Sequence, residues 1–350
     1  MNSRLAFVAT VAALMLGATP GLAGEPLPLH VGGRVVTEAG GALRFGWPGV
    51  YVEGRFSGPA VEVAVETGQE HLAVSIDGQR RAELTKAGLA RLSFAGLSEG
   101  PHVVRIDKLT ESQSGSAKIL GLFAGKGSKA LPEVQRAQRI EFIGDSHTVG
   151  YGVRGTSRDC TQEQVHDLTD TSLAFGPVLA GRLDADYRIV AFSGRGVVRN
   201  YAGGAAGEPL PVLYDRLIPG DAEPLIAADD GWKPQLIVIG LGTNDFSTPV
   251  KPGEAWADGA ALREAYRDGY VSFINRLAGR QPQARFLLIA GDLFVDDVAE
   301  VSKRVNAAVP GLATPVRITG MVQTACHAHP SVADQLLMAD ALEAAIKALN

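Results

Sequence analysis

After residue 130 the chain alternates short apolar runs with longer segments of helical periodicity. The apolar runs fall at residues 139–143, 187–192, 236–240, 285–290 and 316–319, and the helical segments at 174–183, 260–277, 296–309 and 331–349. Such short, uniformly apolar runs are typical of strands buried on both faces. Because strands that alternate with helices favour a parallel sheet with helices on both sides, we predict a three-layer α/β/α domain over residues 131–350.

The earlier part of the chain has a different periodicity. Apolar and polar side chains alternate there, as at Val61, Val63 and Val65, and turn signals such as Asp77-Gly78 separate these stretches. Short alternating strands with regular turns predict an antiparallel sandwich, without helices between residues 30 and 128. The glycine-rich segment 125–128 reads as a linker, so we assign the sandwich to residues 24–130.

Residues 1–23 have the pattern of an export signal. Arg4 supplies a positive start, residues 5–18 are almost entirely apolar, and small residues end at Ala23. The apolar stretch is shorter than the roughly 20 residues that a membrane-spanning helix needs. This favours a cleaved signal peptide over a membrane anchor. We therefore expect a secreted or periplasmic protein that is not attached to a membrane after cleavage.

Charge and cysteine content narrow the possible partners. The formal net charge is only -5 and the basic residues are not clustered, so we expect no nucleic-acid partner. In an exported protein Cys160 and Cys326 can form a disulfide, the alternative being two separate buried thiols. His327 and His329 lie beside Cys326, but no second Cys or His pair has zinc-site spacing, so we expect no metal.

Polar motifs follow three of the predicted strands, and a fourth precedes the last helix. Ser146, in the Gly-Asp-Ser segment 144–146, could be a nucleophile or part of a helix cap. Gly194 could turn its N–H toward a ligand or simply form a turn. Asn244 could donate to an oxyanion or form an Asx turn. His329 could be a general base or a surface histidine.

These four residues together supply the groups that acyl transfer needs. The carboxyl ends of parallel strands share one edge of a sheet, so we expect the motifs to meet there. The set resembles the SGNH, or GDSL-like, hydrolase superfamily over about residues 137–350, with the motifs in the same order. The resemblance implies Ser146 as nucleophile, His329 as base, and an oxyanion hole formed by Ser146, Gly194 and Asn244, with Gly196 as an alternative to Gly194.

Segments 144–152 and 193–201 resemble carbohydrate esterase family two more narrowly. That family has a small jelly-roll sandwich ahead of the catalytic domain, and its members are exported deacetylases. The resemblance implies that the substrate is acetylated xylan, glucomannan or a related oligosaccharide, and that no cofactor is used. We expect a serine esterase with a Ser–His acyl-enzyme mechanism. The alternatives are a carbohydrate O-acetyltransferase on the same scaffold and a non-catalytic carbohydrate-binding protein.

The sequence departs from the family pattern next to the histidine. The superfamily usually has an aspartate three residues before the histidine, and the esterase family often has one two residues before, where this chain has Cys326 and His327. We therefore expect a dyad in which a backbone carbonyl, or a carboxylate from elsewhere, orients His329. We also expect activity to fall below about pH 6.

Ala328 stands where an aromatic residue often precedes the histidine in the esterase family. The surface on which a sugar ring could stack is then missing or supplied elsewhere. Phe246 and Trp232 are the candidates, with burial in the core as the alternative for both.

Overall fold

The computed structural model describes residues 24–227 and 230–349, so the predicted export signal lies outside the described residues. The N-terminal domain is a sandwich of two antiparallel sheets. Its strands are Leu29–Gly32 (β1), Val36–Thr37 (β2), Leu43–Phe45 (β3), Tyr51–Ser57 (β4), Ala60–Glu66 (β5), Leu72–Ile76 (β6), Gln79–Leu84 (β7), Leu89–Ala95 (β8), Pro101–Lys108 (β9), Ala117–Ala124 (β10) and Lys129–Ala130 (β11). One sheet has the order β1-β4-β9-β6-β7, with β11 on β4, and the other has the order β2-β3-β10-β5-β8. The predicted antiparallel sandwich is confirmed.

Alternation of side chains explains why this segment forms a sandwich. In β5, Val61, Val63 and Val65 are fully buried between the sheets, whereas Glu62 is half-buried and Glu66 is exposed. A strand with this period can present one apolar face to a facing sheet. The only helical segment among residues 30–128 is a 3₁₀ turn at Ser112–Ser114, which agrees with the absence of α-helix expected there.

The segment read as a linker belongs to the sandwich. Ser128 donates its N–H to the carbonyl of Gly125 at 3.0 Å, which closes a tight turn. Strand β11 then pairs with β4, and Leu131 donates to the carbonyl of Arg55 at 3.0 Å. The linker interpretation was therefore wrong, because glycine and serine mark a tight turn as readily as a linker.

The C-terminal domain contains a parallel sheet with the order β13-β12-β14-β15-β16. Its strands are Gln138–Gly144 (β12), Ala185–Ala191 (β13), Leu236–Gly240 (β14), Arg285–Ala290 (β15) and Ala313–Arg317 (β16). Its helices are Ser146–Val149 (α1), Gln162–Leu168 (α2), Phe175–Arg182 (α3), Leu210–Leu213 (α4), Thr243–Phe246 (α5), Gly259–Arg280 (α6), Val295–Ala308 (α7) and Val332–Leu349 (α8). The predicted α/β domain is confirmed. The last strand begins at Ala313, three residues before the predicted start at residue 316. The prediction missed these residues because Ala313, Thr314 and Pro315 do not form an apolar run.

Helices cover both faces of this sheet. Helices α3 and α8 pack together on one face, where Phe175 and Met338 belong to the same core cluster as Phe142. Helices α6 and α7 cover the other face, where Tyr270 and Phe286 belong to the second core. Among residues 24–227 and 230–349, no helix is both long and apolar enough to cross a membrane.

The two domains are joined by a buried polar interface along β13. Tyr51 of the sandwich donates its hydroxyl to Asp186 at 3.0 Å, and Arg105 donates to the Tyr187 hydroxyl at 2.8 Å. Farther along, Ser112 donates its hydroxyl to the carbonyl of Ala191 at 2.5 Å. The sandwich therefore reaches the carboxyl end of β13, which is the edge of the sheet where the polar motifs were expected to meet.

Candidate active site

Ser146 lies at the carboxyl end of β12, in the first position of α1. A Cβ on Gly144 would lie 1.9 Å from Oγ1 of Thr148, so only glycine lets the helix turn this tightly above the strand. Asp145 caps α1 by accepting the N–H of His147 at 3.1 Å. Ser146 is 7% exposed, and its own N–H has no acceptor among the described residues. The backbone N–H at the helix start is therefore available to a negative charge.

His329 contacts the Ser146 hydroxyl directly. Its Nε2 lies 2.9 Å from Oγ of Ser146, while its Nδ1 lies 3.0 Å from the carbonyl of Cys326 and 3.2 Å from that of His327. Because carbonyl oxygens only accept, the proton of the neutral ring resides on Nδ1, and Nε2 can accept the serine proton. The structure thus has a dyad oriented by backbone carbonyls, which is one of the two arrangements expected from the sequence.

A strained turn presents these carbonyls to the imidazole. His327 and Ala328 have φ values of 53° and 58°, a region that non-glycine residues seldom adopt. A disulfide with an Sγ–Sγ distance of 1.99 Å joins Cys326 to Cys160. His327 also donates its N–H to the carbonyl of Arg158 at 2.8 Å, and its Nε2 lies 2.8 Å from the carbonyl of Cys160. These contacts hold the turn in its unusual conformation.

Aromatic rings enclose His329 on two sides. Tyr151 stacks on it with a centroid distance of 4.2 Å, and the Tyr151 hydroxyl lies 2.9 Å from Nδ1 of His327. His147 meets it edge-on at 5.6 Å. Burial and, to a smaller extent, the nearby His147 and His327 lower the pKa of His329 to about 4, although the hydrogen bonds to the carbonyls of Cys326 and His327 act in the opposite direction. The pKa of His329 is therefore much lower than the ordinary histidine value, on which the expected loss of activity below about pH 6 was based.

Gly194 provides a second unpaired N–H at the same edge. Arg195 donates its N–H to the carbonyl of Phe192 at 3.2 Å, and Gly194 has a φ of 82°, as in a type II turn. No acceptor for the Gly194 N–H is found among the described residues. Gly196, the alternative, donates its N–H to Asn200 at 3.2 Å. Of the two glycines, only Gly194 has an N–H without an acceptor among the described residues, and its role as an oxyanion donor stays a prediction.

Asn244 connects Asp145, the residue before Ser146, to this turn. Its Nδ2 donates to Asp145 at 3.1 Å and to the carbonyl of Arg195 at 2.9 Å. Both N–H groups of the amide are therefore engaged within the protein, and its role as an oxyanion donor stays a prediction. Burial raises the pKa of the Asp145 carboxyl to about 7. The neighbouring Asp245 accepts the N–H groups of residues 197–199 at 2.9 to 3.0 Å, a contact that the sequence did not reveal.

Both aromatic candidates for sugar stacking pack against other side chains of the protein. Trp232 is 8% exposed and lies four residues before β14, at the opposite edge of the sheet, with the guanidinium of Arg188 4.6 Å from its ring. Phe246 packs edge-on against Tyr266 at 4.8 Å. Tyr201 is instead 57% exposed, and its N–H donates to the carbonyl of Gly194 at 2.8 Å. It is thus an exposed aromatic residue next to the turn of residues 192–195.

A cavity of about 270 Å³ is lined by residues on either side of Ser146 in the chain, although neither Ser146 nor His329 lines it. Asp145, His147 and Thr148 line it on one side, and Leu293 and Met321 line it beyond the last two strands. The buried Thr148 hydroxyl has no hydrogen-bond partner among the described residues. Within the same residues, no group of three or more His, Cys, Asp or Glu side chains could hold a metal ion.

Family models match both domains. The carbohydrate esterase 2 N-terminal model matches residues 31–133, and the model of the GDSL-like lipase/acylhydrolase family matches residues 142–340. An acetylxylan esterase / glucomannan deacetylase from Cellvibrio japonicus is 37% identical over 326 residues, which cover 91% of this chain and 90% of the relative. The cellulase/esterase CelE from Acetivibrio thermocellus is 30% identical over 317 residues, which are 86% of this chain but only 37% of that longer protein.

Solved structures show the same arrangement of both domains. A carbohydrate esterase whose active site is described as having divergent catalytic and non-catalytic binding functions superposes with a TM-score of 0.85 at 35% identity, covering 92% of this chain and 98% of the other. A family two carbohydrate esterase from Clostridium thermocellum, in complex with cellohexaose, superposes with a TM-score of 0.80 at 28% identity, covering 91% and 98%. The similarity therefore extends over the sandwich as well as the α/β domain.

Proposed function

Since the chain belongs to the GDSL-like lipase/acylhydrolase family and carries the carbohydrate esterase 2 N-terminal domain, we propose that it removes O-acetyl groups from carbohydrate by a Ser–His acyl-enzyme mechanism. The chain is a carboxylic ester hydrolase, and its relatives in both comparisons are carbohydrate esterases. The observation that carries the mechanism is the 2.9 Å contact between Ser146 Oγ and His329 Nε2, with Nδ1 of the same ring directed at backbone carbonyls.

In the proposed first half-reaction, Nε2 of His329 accepts the Ser146 proton while Oγ attacks the ester carbonyl carbon. The negative charge that develops on the carbonyl oxygen is stabilised by the N–H groups of Ser146 and Gly194, which have no acceptor among the described residues. The C–O bond to the sugar then breaks, and the sugar hydroxyl leaves with the proton from His329. The product of this step is acetyl-Ser146.

The second half-reaction uses water in place of the sugar. His329 accepts a proton from water, the resulting hydroxide attacks the acetyl carbonyl, and acetate leaves as Ser146 regains its proton. Asn244 is the proposed third oxyanion donor. Because its amide is engaged with Asp145 and Arg195, this role requires that one of those bonds be exchanged for a bond to the oxyanion.

Acetylated xylan, glucomannan or related oligosaccharides are the proposed substrates. The relative from Cellvibrio japonicus is an acetylxylan esterase / glucomannan deacetylase, and exposed Tyr201 beside Gly194 could stack on a sugar ring. We further propose a secreted or periplasmic location. The N-terminal pattern supports export, and the disulfide between Cys160 and Cys326 suits an oxidising compartment.

Acetate release with water as the only acceptor tests this function. The purified protein is incubated with acetylated xylan, acetylated glucomannan and an acetylated chromogenic ester, and Ser146→Ala serves as the matched control. We expect release by the wild type and none above background by the variant. Release only when a sugar acceptor is added would indicate an acetyltransferase, and polysaccharide binding without release would indicate a binding protein.

A further inference from the structure

A loop of the sandwich domain reaches the turn of residues 192–195, which contains Gly194, in the catalytic domain. The loop follows β9, and Ser112 and Leu109 attach it to Ala191 and Thr171 of the catalytic domain at 2.5 and 3.0 Å. Between these anchors lies Glu111, which is only 4% exposed. Its two carboxylate oxygens lie 2.8 and 2.7 Å from the hydroxyl of Ser193, which donates to them.

Ser193 occupies a decisive position in the turn of residues 192–195. It is the second residue of the turn and Gly194 is the third, so the peptide between them carries the unpaired Gly194 N–H. Type I and type II turns differ chiefly by a half-rotation of this central peptide, which reverses the direction of its N–H. The direction of the oxyanion donor therefore depends on what holds the turn in its type II form.

Besides the bond from Asn244 to the carbonyl of Arg195, two contacts hold the residues on either side of the central peptide of the turn. The N–H of Tyr201 donates to the carbonyl of Gly194 at 2.8 Å, which holds the far side of the glycine. Glu111 holds the near side through the Ser193 hydroxyl. The first contact belongs to the catalytic domain itself, whereas the second is supplied by the sandwich.

The surroundings of Glu111 suit a positioning role better than a stabilising one. The ammonium of the buried Lys108 donates to the backbone carbonyls of Thr110 and Glu111 at 2.8 and 2.9 Å and pairs with Glu70 at 2.9 Å, so it fixes the loop and is not bonded to the Glu111 side chain. Burial raises the pKa of Glu111 to about 7. Among the described residues the Ser193 hydroxyl is the only donor to this carboxyl, and such a buried carboxyl costs free energy that an apolar side chain would not.

We propose that Glu111 is a positioning residue for the esterase reaction: it fixes Ser193 so that the Gly194 N–H faces the oxyanion. The sandwich domain thereby completes the active site of the catalytic domain. This inference rests on the proposed function, because it needs an oxyanion to form at Ser146.

Steady-state kinetics on an acetylated chromogenic ester test the proposal. Glu111→Leu and Ser193→Ala each remove the contact, and each should lower kcat about ten- to a hundred-fold while KM changes less than about two-fold, since the oxyanion donor acts mainly in the transition state. The double variant should be no slower than the slower single variant. Glu111→Gln keeps an amide oxygen that accepts the Ser193 hydroxyl, so it should retain most of the wild-type kcat.

Glu53→Gln is the matched control. Glu53 is another buried carboxylate of the sandwich, 3% exposed and paired with Arg105 and Arg136 away from the turn, and its variant should keep the wild-type kcat. Thermal unfolding shows which variants are folded, and Ser193→Ala tests the same contact if Glu111→Leu does not fold. Wild-type kcat in Ser193→Ala, or effects that multiply in the double variant, would overturn the proposal. These outcomes can be distinguished from failure of the proposed function, in which case the wild type and Glu53→Gln would release no acetate.

Discussion

Esterase activity should persist to a lower pH than an ordinary histidine base allows. Burial beneath Tyr151 and the proximity of His147 lower the pKa of His329 to about 4. Only the neutral imidazole can accept the Ser146 proton, so kcat/KM should stay level as pH falls to about 5 and should be halved near pH 4. Activity is then lost below the lowered pKa and not near 6.5, the ordinary value for histidine.

The difference between the two cases is large at pH 5. A pKa of about 4 leaves about 90% of His329 neutral at that pH, whereas a pKa of 6.5 leaves about 3%. The two cases therefore differ about thirty-fold in kcat/KM relative to the plateau. His147→Ala removes the charge interaction with His147, so it should raise the pKa of His329 and raise the pH at which kcat/KM is halved.

The assay measures kcat/KM by acetate release between pH 3.5 and 8. His147 and His329 both have lowered pKa values, so the unfolded chain binds more protons than the folded one between about pH 4 and 6.5. The free energy of unfolding therefore decreases as the pH is lowered through this range. Tryptophan fluorescence must therefore confirm the fold at each pH. Asp145 and Glu111 have pKa values raised to about 7, so Asp145→Asn and Glu111→Gln are measured alongside. If kcat/KM is halved near pH 6.5 in the wild type, in Asp145→Asn and in Glu111→Gln, the reasoning is refuted.

Two further predictions concern the supports of the dyad and of the oxyanion. Cys160→Ser opens a disulfide with a sequence separation of 166 and should lower the free energy of unfolding in urea by about 4–5 kcal/mol. It should also lower kcat, because the Cys326 carbonyl no longer holds Nδ1 of His329. Unchanged stability and kcat would contradict this prediction. Asn244→Ala should lower kcat by about a hundred-fold with a smaller rise in KM, and an effect confined to KM would exclude the amide as an oxyanion donor.

The sequence predicted the fold where local periodicity carried the information. Alternation in β5 predicted the sandwich, and short apolar runs between helices predicted the parallel sheet. The linker at residues 125–128 was wrong because a tight turn and a linker use the same residues. The start of β16 was missed because Pro315 interrupts its apolar character, although the strand pairs with β15 through residues 313–317.

Ser146 and His329 were predicted to act together because each follows or precedes a recognisable element, and the structure places them in contact, while their catalytic roles stay a prediction. Tyr151 and Glu111 were not assigned roles, since their partners lie far away along the chain. The Tyr151 hydroxyl meets a residue 176 positions later, and Glu111 meets Ser193 82 positions later. Local patterns do not encode such pairings, which arise only when the two domains and the final turn have packed together.

Covalent labelling tests most directly that Ser146 is the nucleophile activated by His329. The protein is treated with an alkyl fluorophosphonate, which reacts with an activated serine hydroxyl, and the adduct is located by mass spectrometry of its peptides. We expect one adduct, on Ser146, no adduct in Ser146→Ala, and labelling slowed at least about a hundred-fold in His329→Ala. An adduct on another serine, or labelling of Ser146 at an unchanged rate without His329, would contradict the mechanism.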